Sequence, residues 1–395
     1  EKLIAELCPN GVEFKELGEL GDFYGGLSGK SKDDFSSGNA KFVTYMNIYS
    51  NIAVNTDIDV FVKVGKDENQ NRIEYGDVLF TGSSETPDEC GMSSVLTKKI
   101  DEPLYLNSFC FGFRLNDKNL LLPEFSKYLF RDEQMRKQIA KTASGVTRFN
   151  VSKKRFAKMT IPLPPLAIQE EIVKILNSFT ELETELETEL EARKKQYEHY
   201  RLNLLTFDAG VKFLSLGEVC LSVNAGGDLP SKYLKGQQFP TEEFPYPIYS
   251  NGSDEKALYG YTNEYKVKEE AVTISARGTI GYHAVRKEKF TPIVRLLILI
   301  PNTDTVTAKY LNYALDITEI GHSGGSIPQL TVPNVKKIKV PVPPIAEQER
   351  IVSILDKFDA LVNDISIGLP AELSARRQQY EYYRGKLLTF KKYDK

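Results

Sequence analysis

The sequence lacks any apolar run approaching the roughly 18 residues of a membrane span, and its opening Glu1-Lys2-Leu3 has no signal-peptide pattern. No initiator Met precedes Glu1, so the first residues of the protein are expected to lie outside this sequence. Cysteine is scarce: Cys8, Cys90, Cys110 and Cys220 are scattered, with no C-x-x-C pair to suggest zinc or a redox dithiol. Reduced thiols and a cytoplasmic location are expected. Histidine is scarcer still. His199, His283 and His322 lie far apart, without metal-ligand spacing, and each reads as a surface or turn residue. A phosphate loop is also missing, because the G-x-x-x-x-G-K-S pattern suggested by Gly25-Gly-Leu-Ser-Gly-Lys-Ser31 needs glycine where Tyr24 stands. No cofactor and no metal are expected.

What is present is a globular composition, 41% hydrophobic and 27% charged, in a 395-residue chain long enough for two or three domains. The net charge of −3 conceals strong polarity along the chain. Arg131 to Thr160 holds nine Lys/Arg against two Asp/Glu, whereas Leu166 to Glu191 holds eight Glu against one Lys. A polyanion is attracted to the first stretch and repelled by the second.

The chain is written twice. Ile161-Pro-Leu-Pro-Pro-Leu-Ala-Ile-Gln-Glu-Glu-Ile-Val-Lys-Ile-Leu176 recurs as Val340-Pro-Val-Pro-Pro-Ile-Ala-Glu-Gln-Glu-Arg-Ile-Val-Ser-Ile-Leu355, at an offset of 179. Leu204-Leu-Thr-Phe207 recurs as Leu387-Leu-Thr-Phe390 at an offset of 183, so the second copy has gained four residues. The entries also match, Gly11-Val-Glu-Phe14 against Gly210-Val-Lys-Phe213, as do Ser144-Gly-Val-Thr147 and Ser323-Gly-Gly-Ser326. Between these anchors the halves barely agree. Shared frames around divergent inserts explain that pattern.

Each frame reads as one long helix with a coiled-coil seam. Ile172, Ile175, Phe179, Leu182, Leu186, Leu190, Tyr197, Tyr200 and Leu204 advance mostly by three and four, with Arg193 at the missing step. The second seam runs Ile351, Ile354, Phe358, Leu361, Ile365, Leu369, Leu373, Tyr380, Tyr383 and Leu387, its extra four residues a stutter. Gly368 and Pro370 are expected to break or kink it, Pro370 serving at the first turn of a restart. Residues 180–191 form three tandem Thr-Glu-Leu-Glu units, each advancing a helix by ~6 Å. The inserts mix β-like runs, such as Asp77–Thr81, Ser108–Arg114, Ala271–Ser275 and Val294–Ile300, with helix-like Pro123–Ala140 and Thr307–Ile317. Each insert therefore reads as an α/β domain.

Two divergent domains alternating with two repeated helices resemble the specificity subunit of type I restriction–modification enzymes along nearly the whole chain. The marks are Pro162-Leu-Pro-Pro-Leu-Ala-Ile-Gln169, Pro341-Val-Pro-Pro-Ile-Ala-Glu-Gln348, Tyr249-Ser-Asn-Gly252 and Ile274-Ser-Ala-Arg-Gly-Thr-Ile-Gly281. The resemblance implies an α+β fold. Two α/β target-recognition domains (1–160 and 208–339) are separated by two long antiparallel coiled-coil helices (161–207 and 340–395), pseudo-two-fold and circular in layout. It further implies that each domain reads half of a bipartite site in double-stranded DNA. Two modification subunits would bind, and motor-nuclease restriction subunits would join for cleavage. No membrane partner is implied. The adenine methyltransferase tetrapeptide Asn/Asp-Pro-Pro-aromatic is absent, both Pro-Pro pairs following Leu163 or Val342, so no catalysis is expected of this chain. A coiled-coil adaptor for proteins is the competing class, disfavoured by the basic run and the duplicated arms.

DNA contacts follow from residue chemistry. Arg148, Lys153, Lys154, Arg155 and Lys158 form a basic run suited to phosphates, and Lys336, Lys337 and Lys339 form its partner. For base edges, Arg suits guanine and Asn or Gln suits adenine. Candidates on turn-like segments are Tyr45, Asn47, Ser83, Ser84, Arg148 and Asn150, then Tyr249, Asn251, Arg277, Thr279 and Gln329. The expected helix-pair seam includes Ile172, Phe179, Leu182, Leu186, Leu190, Ile351, Phe358, Leu361 and Ile365.

Overall fold

A computed structural model describes residues 2–207, 210–320 and 329–393. The chain divides into two units, Glu1–Leu186 with Leu373–Lys395, and Glu187–Glu372. His322 and Ser323–Ser326 lie outside the described residues.

The first repeat helix runs unbroken from Leu166 to Leu205, a length of ~60 Å. Its Thr-Glu-Leu-Glu stretch is helical throughout, with Thr184 Oγ1 donating to the Thr180 carbonyl. The second is two helices, Ile345–Asn363 and Leu369–Leu388. Pro370 stands in the first turn of the restart, where its missing N–H costs nothing. The break is built by Asp364, whose carboxylate accepts from the Ser366 and Ile367 amides. Gly368 closes it, because a Cβ there would lie 2.4 Å from the Ala360 carbonyl. Ile365 therefore corrects the expected seam: it falls in this turn and is 81% exposed. The same break that Gly368 and Pro370 announce ends the stripe that Ile365 was expected to continue.

Both units are built on one plan. In the first, the main sheet has the order Gly21–Gly25, Cys110–Leu115, Val78–Thr81, Ser93–Val95, all antiparallel. In the second, Cys220–Ala225, Leu297–Pro301, Ala271–Ile274 and His283–Arg286 take the same order and sense. A smaller sheet accompanies each, with Ala40–Val43 parallel to Leu104–Leu106, and Tyr246–Tyr249 parallel to Thr291–Pro292. The expected helix over 123–140 is two helices, Pro123–Leu129 and Glu133–Thr142, divided where Asp132 caps the second. Ala308–Asp316 is its counterpart.

The repeated motif explains itself as a junction. Phe14 pairs with Pro162, and Phe213 with Pro341, in matching two-stranded sheets. Gln169 and Gln348 are then fully buried with every polar atom engaged. Gln169 accepts from the Leu122 amide (2.8 Å) and donates to the carbonyls of Leu120 (2.9 Å) and Pro164 (2.8 Å). Gln348 accepts from Thr307 (3.0 Å) and donates to Thr305 (2.9 Å) and Pro343 (2.9 Å). Each glutamine thus ties the start of a repeat helix to the loop before its domain's own helix.

The helix pairing is also duplicated. In the first unit Phe179 stacks on Tyr383 (5.6 Å) beside Tyr380 (6.3 Å), and Arg377 donates to Glu183 (2.6 Å), an antiparallel register. In the second, Phe358 stacks on Tyr200 (5.3 Å) and Tyr197 (6.2 Å). Each trio takes its Phe from one repeat copy and its tyrosines from the other. The seam is deepest near the junctions: Ile172 and Ile351 are buried, Leu186 and Leu190 half-buried, whereas Leu182 and Leu361 reach solvent.

The layout closes on itself within the first unit. The Val12 amide donates to the Lys391 carbonyl (2.8 Å), and Tyr393 donates back to Val12 (2.9 Å). Leu3 and Ile4 pack on the cluster that contains Leu388.

Among the described residues no helix is long and apolar enough to cross a membrane. His199 lies on the exposed helix surface beside Asn203. His283 departs from the expected surface role. Its ring is 10% exposed, with Nδ1 against Asn312 and Nε2 3.6 Å from Asp316.

Candidate nucleic-acid interface

The first domain gathers four of its candidates around one open cleft of about 530 Å³, lined by Tyr45, Ser83, Ser84 and Arg148 with Met46, Tyr49, Glu89 and Phe109. The main sheet's Val78–Thr81 strand runs on into Ser83–Ser84, where a hairpin strand, Phe149–Val151, pairs with it. Asn150 lies opposite Ser83 and is exposed. Tyr45 opens a short helix capped by the Thr44 hydroxyl, and its own hydroxyl donates to the Ser83 carbonyl (2.9 Å). Arg148 donates through Nε to Ser83 Oγ (3.0 Å), which pins the guanidinium of an exposed residue.

The cleft also contains a fixed anion. Glu89 accepts from the hydroxyls of Tyr49 (2.8 Å), Thr86 (2.9 Å) and Ser84 (3.4 Å). These bonds, that of Tyr49 foremost, hold its carboxyl below the usual range, and the same bond pushes the Tyr49 phenol up. Burial raises the Tyr45 phenol. Asn47 is turned away from the cleft: it is buried, its amide donating to the Asn55 carbonyl and accepting from the Asn55 amide.

Lys153 and Lys154 follow directly on a one-turn helix, Lys153–Phe156, anchored by buried Phe156. Both lysines are exposed, with Lys153 Nζ 5.5 Å from the Phe111 ring. Lys336 and Lys337 end the matching helix, Val332–Lys336, anchored by Val335 and also exposed.

The second domain repeats the frame with different side chains. Val151 donates to the Gly82 carbonyl (3.0 Å), and Leu330 donates to Ala276 (3.0 Å). By that correspondence Ser83 matches Arg277, and Asn150 matches Gln329. Arg277 and Thr279 are exposed on a loop closed by Ser275 and Tyr282, with Gly278 at its tip. Asn251 is committed to the frame, accepting from the Ala276 amide (2.8 Å) and donating to the Val294 carbonyl (2.5 Å). Tyr249 packs its ring against Phe290, under the Arg286 guanidinium at 4.1 Å.

Tyr45-Met-Asn47 and Tyr249-Ser-Asn251 look alike in sequence but are not structural matches. Asn107 donates to the Val43 carbonyl, and Ile293 donates to Tyr249, so Val43 corresponds to Tyr249 and Tyr45 to Asn251.

Two occupants of this surface are not among the sequence candidates. Phe109, 64% exposed, alternates with Phe111 and Phe113 and reads as a core residue of their strand. The strand in fact begins at Cys110, and Asn107 holds Phe109 in a preceding turn by accepting from its amide (2.9 Å). The available signal was the Asn107-Ser108 pair, a turn former. Arg295 likewise sits in an apolar run that reads as strand, but the strand begins only at Leu297. No sequence pattern marks it.

Comparison with known proteins decides what this duplicated surface belongs to. The family model for the type I restriction modification DNA specificity domain matches residues 9–193 and again 209–375. The chain belongs to that family. A Mycoplasma pneumoniae protein carrying the name of a type I specificity subunit is 32% identical over 333 residues, 80% of this chain and 90% of that protein. The Escherichia coli EcoR124I/EcoR124II specificity subunit is 37% identical over 265 residues, 60% of this chain and 64% of that protein. The fold is shared with the type I S subunit from M. genitalium, at 18% identity and a TM-score of 0.53, with 96% of both chains covered. The chain is a DNA-specificity subunit, a non-catalytic component of a type I restriction–modification complex.

Proposed function

We propose that each domain of this specificity subunit, 1–160 and 208–339, reads one half of an asymmetric bipartite DNA site. The single observation that carries this is the duplicated frame with unlike contents. The same strand end receives Val151 in one domain and Leu330 in the other, yet presents Ser83 and Arg148 in the first and Arg277 and Gln329 in the second. Equal frames give equivalent access to a groove; unlike side chains give different base preferences. The exposed lysines at 153, 154, 336 and 337 supply phosphate contacts and hold register. The helices 161–207 and 340–395 set the unread spacer and dock two modification subunits, which restriction subunits join for cleavage.

The test is a genome-wide map of N6-methyladenine with and without the gene, alongside a chain whose residues 12–160 come from a related protein. A bipartite motif should vanish with the gene, and the exchange should change one half-site only. Both half-sites changing together would refute independent readers.

A further inference from the structure

The position that Phe109 occupies in the first domain is filled in the second by Arg295. Three pairs of equivalent hydrogen bonds fix the correspondence. Asn107 and Ile293 donate to the ends of equivalent parallel strands, Val43 and Tyr249. Cys110 and Leu296 close the same turn, donating to Asn107 (3.0 Å) and Ile293 (3.1 Å). Gly26 and Gly226 then donate to Cys110 (3.2 Å) and Leu296 (2.7 Å). In the first domain this turn sets Phe109 on the wall of the cleft with Tyr45, Ser83 and Arg148. In the second, Asn251 bonds both Val294 and Ala276, so the turn lies beside the loop that presents Arg277.

The second domain holds this turn at a cost. Val294 and Arg295 have φ of 52° and 58°, the left-handed region that a β-branched residue resists. Two adjacent residues held there are strained. The first domain avoids this, because Asn107 supplies a side-chain acceptor that Ile293 lacks. In its place the Val294 and Arg295 amides donate to the carbonyls of Gly227 (2.9 Å) and Gly226 (3.1 Å). Only glycine fits at 226, since a Cβ would meet the Pro292 carbonyl group at 2.8 Å. Strain held in this way delivers an exposed arginine whose guanidinium has no hydrogen bond or ion pair among the described residues. An arginine held rigidly at its backbone and free at its planar fork is suited to a flat, two-acceptor target, which is the major-groove edge of guanine.

We propose that Arg295 is a specificity-determining residue that reads a guanine in the second half-site. Phe109, at the same place in the first domain, packs on a thymine methyl. This rests on the half-site reading above.

The test uses the full chain, co-expressed with a type I modification subunit that assembles with it, and reads N6-methyladenine across the host genome. Arg295→Ala should lower discrimination for guanine at one position of one half-site by about tenfold. Phe109→Ala should abolish a thymine preference at one position of the other. Arg295→Lys keeps the charge but not the fork, so it should relax the same position as Arg295→Ala. If the wild-type chain directs no bipartite methylation, the half-site reading itself fails. If it does, but Arg295→Ala leaves the motif unchanged or weakens methylation equally at all sites, the assignment of Arg295 is overturned. Should Arg295→Ala fail to assemble, Arg295→Lys decides: an unrelaxed motif there overturns the assignment as well.

Discussion

Replacing Gln348 with leucine is expected to loosen the point where the second repeat helix leaves its domain. The side chain is fully buried, so water does not take over the bonds it makes. Leucine matches the amide in size but leaves the Thr307 N–H and the Thr305 and Pro343 carbonyls without a partner. A buried backbone group left unpaired costs about 1–3 kcal/mol, so three of them total about 3–9 kcal/mol. The internal repeat supplies a control: Gln169→Leu orphans the Leu122 amide and the Leu120 and Pro164 carbonyls, and should cost about as much in the other unit. Urea unfolding followed by far-ultraviolet circular dichroism measures the loss. Hydrogen exchange localises it, with faster exchange at Thr307 in one variant and at Leu122 in the other. Gln348→Glu should be at least as damaging, since it turns both donors into acceptors facing carbonyls. A loss below about 1 kcal/mol, with the Thr307 amide still protected, would refute the reasoning.

Other outcomes are expected. Arg114 donates to both oxygens of buried Asp77 (2.9 and 2.7 Å), so Arg114→Ala should cost about 3 kcal/mol, moderated because the guanidinium is 31% exposed. Thermal or urea unfolding tests this, and a loss below about 1 kcal/mol would refute it. Burial raises the Asp316 carboxyl, an effect that His283 and Arg201 partly offset. A raised folded pKa means that the folded state holds this proton better, so the stability contributed by Asp316 falls as pH rises out of the ordinary aspartate range near 4. Asp316→Asn should flatten that decline as pH rises above about 4, and a decline unchanged in the variant would count against it. Inserting one more Thr-Glu-Leu-Glu unit after Glu191 lengthens the first repeat helix by ~6 Å and should widen the unread spacer by about one or two base pairs, half-site preferences intact. An unchanged spacer in an assembled complex would make these units filler.

The repeat made the helices legible in the sequence, because a seam of this length is a periodic signal and the Pro-x-Pro-Pro motif marks its start. It also exposed the break, since Gly368 and Pro370 act through local backbone chemistry. Ile365 was misplaced for the same reason that the seam was found: periodicity continues on paper where the backbone has already turned. The candidate surface was less legible. Ser83 and Arg148 come together through a hairpin that pairs distant segments, and nothing in either segment names the other. Asn47 and Asn251 carry the chemistry of base readers but spend their amides on the frame, which only the folded backbone reveals. Phe109 and Arg295 were hidden by neighbours that do form strands, because one extra turn residue removes a side chain from the face its alternation predicts.

The division of the chain has a consequence for how it is made. Glu187–Glu372 is contiguous and can fold once it has left the ribosome, whereas the other unit needs Leu373–Lys395 to complete its core, Leu388 included. At about 5–20 residues per second, roughly 10–40 s separate the synthesis of Leu186 from that of Leu373. Through that interval Phe179 has no Tyr380 or Tyr383 to stack on, and the side chains that meet Leu388 remain uncovered. The half of the protein translated first is therefore the half finished last, and a pause or truncation late in translation would leave the early domain without its closing helix.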